Sequence, residues 1–174
     1  MPYTELDLEM KPDEGNEDEH KLVIFAWSGD LDRVWPTLIL ATTAAAMGWS
    51  VTVFFTFWGL FPLVKNDVRM TGDNWMQRMM SVMNRGGTDH LKLSKMNFIG
   101  AGPKMMRKLA RDNKVACPQE LLAEAREMGV HLVPCQMTMD LLGLERANLI
   151  EGLERPAGAT TALLEADGAT TLFI

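Results

Sequence analysis

From Val34 to Val64 the chain carries no charged residue, 31 positions in succession. A run of that length either spans a bilayer or lies inside a protein core. It breaks in the middle at Gly48-Trp49-Ser50, and its halves differ in kind. The first half is rich in Ala, Leu and Thr and reads as a helix. The second, Val51-Thr52-Val53-Phe54-Phe55-Thr56, is β-branched and aromatic and too short to cross a membrane. A helix followed by a buried parallel strand accounts for both. The expectation is a soluble α/β protein, with membrane contact of this run as the alternative.

The flanking sequence completes the unit. Lys21 to Trp27 is an apolar strand, Ser28-Gly29-Asp30 a turn and helix start, and Leu31 to Met47 a helix stopped at Gly48. Strand, helix and strand form a right-handed βαβ crossover. A loop then runs through Trp58-Gly59-Leu60 to Pro62. Farther on, helices are expected over Trp75–Met83, Pro103–Lys114 and Pro118–Met128, the last closed by Gly129. Val130–Val133 reads as a strand, Cys135 opens a helix to Leu142, and Ala159–Ala166 is a final helix before a strand at Thr171–Ile174. The class is therefore α/β with a mainly parallel sheet of four to five strands and a helical insertion in the middle.

Charge is unevenly laid out. Residues 1–20 carry eight acids against Lys11, a net −7, and 65–114 carry eleven bases against four acids, a net +7. The basic part is diluted and Met-rich, holding eight of the 14 methionines between Met70 and Met106, which is not a nucleic-acid-binding profile. These methionines suit core and oligomer packing, with a partner-docking or lipid-facing surface as the alternative. Residues 1–19 read as an acidic flexible tail and 20–174 as a single domain. The acidic start does not resemble a secretory signal, so the expected compartment is the cytoplasm, where thiols stay reduced.

Two cysteines are present, without CxxC spacing. Cys135 lies just past a strand end, where open parallel sheets bind ligands, and at a helix start, where unpaired N–H groups favour an anion. Both features are expected to lower its pKa and keep it accessible as a nucleophile; a packed structural cysteine is the alternative. Ser28-Gly29-Asp30 and Phe57-Trp58-Gly59 follow the first two strands, so Ser28, Gly29, Asp30, Trp58 and Gly59 are expected, with Gln136, to wall the same pocket. Asp30 reads equally as a helix cap. Cys117 precedes Pro118 at another helix start and is either a resolving thiol for Cys135 or incidental. The histidines show no metal-ligand spacing, and Gly100-Ala101-Gly102 lacks the third glycine of a dinucleotide site.

Several stretches together resemble the DsrE/DsrF/DsrH-like family, in its longer branch. They are Ser28-Gly29-Asp30, Phe54-Phe55-Thr56-Phe57-Trp58-Gly59-Leu60, Met96-Asn97-Phe98-Ile99-Gly100, Pro103-Lys104-Met105-Met106, and Gly129 to Asp140 with its Cys135-Gln136-Met137-Thr138-Met139-Asp140 end. The likeness covers about residues 20–174. It implies a flavodoxin-like three-layer sandwich and homo-oligomers or mixed oligomers. It also implies sulfur trafficking, in which Cys135 takes sulfane sulfur as a persulfide and passes it to a rhodanese-like or TusA-like partner. Such a carrier or sulfurtransferase needs no metal or organic cofactor. The rival readings are a non-catalytic ligand-binding or scaffold subunit, and a redox sensor pairing Cys117 with Cys135.

Overall fold

The computed structural model describes residues 20–66 and 86–174. The expected helix Trp75–Met83 and the acidic stretch 1–19 lie outside the described residues. Among the described residues four strands form one sheet: β1 (Lys21–Ala26), β2 (Ser50–Phe55), β3 (His131–Pro134) and β4 (Thr170–Phe173). Their order is β3-β2-β1-β4 and every pairing is parallel. The helices are α1 (Leu31–Ala46), α2 (Ala101–Asp112), α3 (Pro118–Glu127), α4 (Gln136–Leu142) and α5 (Ala159–Ala166). This is the α/β class the sequence implies.

The uncharged run is consumed by three successive elements. Its first part is α1, 16 residues long, then comes β2, and then a 3-10 turn over Phe57–Leu63 where the sequence suggested loop. Among the described residues no helix is long and apolar enough to cross a membrane.

Side-chain alternation along the strands sends two sets of residues to opposite faces. Leu22, Ile24 and Ala26 of β1, with Val51, Val53 and Phe55 of β2 and Leu132 of β3, enter the main core. There they meet Leu31, Val34, Leu38 and Ala41 of α1, and Leu121, Leu122 and Ala125 of α3. The other face is thinly clothed. Phe54 packs with Cys135 and with Ala162 of α5, and Phe25, Val133 and Ala157 lean on that small cluster. Between this face and α5 a cleft of about 600 Å³ stays open.

Two features shape the carboxyl end of the sheet. Residues 154–157 run beside β3: Glu154 N–H donates to the Leu132 carbonyl at 3.0 Å and Ala157 N–H to the Pro134 carbonyl at 3.0 Å. That pairing covers the β3 edge. The 3-10 turn, meanwhile, lies flush on the end of β1. Gly59 N–H donates to the Trp27 carbonyl at 3.0 Å, and a Cβ on Gly59 would run into the Ala26 carbonyl. Gly29 is equally tight, since a Cβ there would meet the Trp58 carbonyl at 2.5 Å. Glycine is required at both by close backbone approach.

Candidate functional site

Cys135 is the N-cap residue of α4, directly after β3. Its backbone continues the sheet, because its N–H donates to the Phe55 carbonyl at 2.9 Å. The alternation of β3 puts His131, Val133 and Cys135 on one face, the face that Ser50, Thr52, Phe54 and Thr56 share on β2.

The surroundings of the sulfur are polar in one direction and apolar in the other. Burial pushes the thiol up. Hydrogen bonds from the Thr138 hydroxyl and N–H, the Thr56 hydroxyl and the Met137 N–H favour the thiolate and outweigh it, so Cys135 ionises below the ordinary thiol range. Thr138 is itself held in place. Its hydroxyl accepts from Phe57 N–H at 3.0 Å and lies 3.2 Å from the Thr56 hydroxyl. With its lone pair engaged, the Thr138 proton is free to point at sulfur. On the apolar side Phe54 and Ala162 close over the thiol.

The expected accessibility is corrected here, since Cys135 is only 5 % exposed. The cause is the strand-like stretch 154–157, whose Ala157 bridges to Cys135 and accepts from Gln136 N–H at 3.0 Å, together with α5 above it.

The structure also separates residues that the sequence grouped together. Ser28, Gly29, Asp30 and Trp58 line a small cleft of about 140 Å³ with Phe61 and His90, and Cys135 is not in its walls. Gly59 is buried within the 3-10 turn and Gln136 is exposed, its amide donating to Asp140 Oδ1 at 2.7 Å. The divider is the 3-10 turn, which touches Thr138 through Phe57 and Trp27 through Gly59. Asp30 stands at the N-cap position of α1 without a side-chain cap, and instead accepts from the Ser28 hydroxyl at 3.2 Å. Cys117 caps α3, half-buried. Its N–H donates to Glu120 at 2.7 Å and holds that carboxyl below the usual range. Both cysteines are free thiols.

Sequence reasoning missed Thr56 and Thr138. The signal was the hydroxyl three residues after the cysteine, on the first turn of the helix it opens; Thr56 joins only through the β2–β3 pairing.

The sequence model of the DsrE/DsrF/DrsH-like family matches residues 18–173. The chain belongs to this family. Among its relatives, the uncharacterized protein YrkE of Bacillus subtilis is 38% identical over 159 residues, 91% of this chain and 99% of that protein. Sulfur carrier protein DsrE2 of Allochromatium vinosum is 37% identical over 145 residues, 82% of this chain and 90% of its own. Among solved structures, a Methanobacterium thermoautotrophicum protein of unknown function superposes with a TM-score of 0.51 at 13% identity, covering 89% of this chain and 99% of that one. That likeness concerns the fold alone.

The hydroxyl shell of the family member's thiol gives a direct prediction. Thr138→Val removes a donor to the thiolate, so the midpoint of the pH–alkylation profile moves up. Hydrogen bonds to charged groups contribute about 1.5–3 kcal/mol, so alkylation by iodoacetamide at pH 7 should slow roughly tenfold. Thr138→Ser keeps the hydroxyl and should keep the rate. Equal rates in wild type and Thr138→Val would remove the hydroxyl from the account of the thiolate.

Proposed function

We propose that this protein is a sulfur carrier that holds sulfane sulfur as a persulfide on Cys135 and passes it to a partner protein's thiol. What carries the reading is the set of hydroxyl and N–H donors aimed at the Cys135 sulfur, in a chain 37% identical to a protein named as a sulfur carrier. The thiolate attacks the outer sulfur of a donor, the donor's inner sulfur leaves as a thiolate, and Cys135–S–S⁻ forms. The shell that favours the thiolate serves the persulfide anion by the same bonds. An acceptor thiolate then attacks the terminal sulfur, and Cys135 leaves as the thiolate again.

Rhodanese-like and TusA-like proteins are the acceptors of this reading, in a reducing compartment. Leu163, Leu164 and Phe173 are exposed apolar residues suited to assembly of copies into a homo-oligomer. The second reading, a ligand-binding or scaffold subunit with a merely packed cysteine, draws on the burial of Cys135.

Loading separates the two. Intact-mass measurement after incubation with inorganic polysulfide should show additions of whole sulfur atoms on wild type, retained in Cys117→Ser. Absence of any addition under native conditions would favour the packed-cysteine reading, and additions lost in Cys117→Ser would move the carrier role off Cys135.

A further inference from the structure

The cleft of about 600 Å³ is not part of the Cys135 shell described above and Cys135 is not in its walls, yet it is lined by residues that pack in one cluster with that thiol. Its volume lies within the range of small-ligand sites. Phe54, Val133, Ala157 and Ala162 line it, and these same four residues pack around Cys135. The sulfur therefore lies behind the cleft's apolar end, on the face of the sheet that the cleft occupies. The thiol is only 5 % exposed, so a slender molecule lying in the cleft rests against the wall in front of it and meets the sulfur when the Ala157 and Ala162 cover yields.

Polarity changes along the cleft. At the amino end of the strands it is walled by Ser50, Thr52 and His131, the last paired with Glu154 at 2.9 Å. Arg155 and Glu165 add one exposed charge of each sign to the lining. Among the described residues Arg155 has no ion-pair partner. Toward Cys135 the lining is apolar. Ser50 and Phe54, which line its two ends, are four residues apart on the extended β2, roughly 13 Å at the usual rise. An extended peptide of about three residues has nearly that reach, whereas a single amino acid falls well short.

We propose that this cleft binds a peptide-sized, zwitterionic hydropersulfide that supplies sulfur to Cys135. A carboxylate of the ligand pairs with Arg155 and its ammonium with Glu165, and its sulfur end lies at the apolar wall. The transfer is balanced without a further reagent: R–S–S–H and the Cys135 thiolate give Cys135–S–S–H and R–S⁻. The new bond joins Cys135 Sγ to the outer sulfur, the old S–S bond breaks, its electron pair leaves on the inner sulfur, and the proton stays with the transferred atom. This inference rests on Cys135 being the sulfur-carrying residue.

The test uses the full chain and two donors, glutathione hydropersulfide and inorganic polysulfide, with the initial rate of sulfur addition read by intact mass. Loading from the peptide persulfide should saturate. Arg155→Ala should raise its half-saturating concentration about tenfold and Glu165→Gln several-fold, with polysulfide loading unchanged in both; a tenfold loss is the size of one good charge-assisted contact. Both side chains are exposed, so the folded state persists in these variants. Loading that does not saturate, or that both substitutions leave unaltered, overturns the cleft as the binding site while the carrier reading stands. An equal loss with both donors overturns it too, by showing a structural effect. Failure of wild type to load from either donor overturns the carrier reading, and the cleft assignment with it.

Discussion

Cys135→Ser should take up no sulfur from polysulfide, while wild type and Cys117→Ser load. A serine hydroxyl is not ionised in the range where the Cys135 thiolate forms, and oxygen cannot stand in for sulfur in exchange at a sulfane sulfur. The substitution is otherwise mild. It changes one atom in a site where the Thr56 and Thr138 hydroxyls already make polar contacts with that atom, so a buried serine oxygen finds partners. A stability change within about 1–2 kcal/mol is expected on that basis. Intact mass reads the first outcome and thermal melting the second. Uptake by Cys135→Ser equal to wild type would sink the assignment of the sulfur to this residue. A collapsed melting transition would point instead to a packing role for the thiol.

Gly59→Ala is expected to be strongly destabilising. The added Cβ would enter the Ala26 carbonyl oxygen, which is fixed backbone in β1 and accepts from Thr56 N–H at 2.9 Å. Neither partner is a flexible side chain that could turn away. Relief requires lifting the 3-10 turn from β1, which breaks the 3.0 Å bond from Gly59 N–H to the Trp27 carbonyl. Overpacking of this kind costs roughly 2–4 kcal/mol. For a chain of this size that lowers the melting temperature by about 4–16 °C. Because Phe57 in the same turn anchors Thr138, Cys135 alkylation should slow in parallel. A melting temperature within a degree of wild type would mean that the turn yields more easily than its contacts indicate.

What was legible in the sequence follows from range. β1, α1 and β2 announce themselves through a continuous apolar pattern punctuated by Gly48, whose positive φ of 82° closes the helix as expected. β3 and α4 were equally plain, with Gly143 at φ 66° ending the latter. Boundaries moved by a residue or so, as when the last turn of α1 stops at Ala46 rather than Met47. The 3-10 turn read as loop because Gly59 and Pro62 both argue against regular structure. The stretch 154–157 was invisible for a related reason. Pro156 discourages a strand, and the bonds that align it come from Leu132 and Pro134, far away in sequence.

The same limit explains the site. Cys135 stands out as a candidate from its place between strand and helix, a local property. Thr56 and Thr138 lie 82 positions apart and meet only once β2 and β3 pair. Ser28 and Trp58 did meet each other, through the packing of two glycine turns. They fell on the far side of the 3-10 turn because β1 and β3 are separated by β2.

The cover over Cys135 has a temporal meaning. Ala157 and Ala162 are not bulky barriers, but each belongs to a segment held by backbone bonds or helix packing. In the proposed carrier, solvent reductants would strip sulfur from Cys135 only as often as that cover lifts, so the lifetime of a persulfide there would be governed by a local opening equilibrium and hardly by the intrinsic speed of thiol exchange. A protein that lifts residues 154–157 on docking would shorten that lifetime at the moment of delivery and leave it long at every other time.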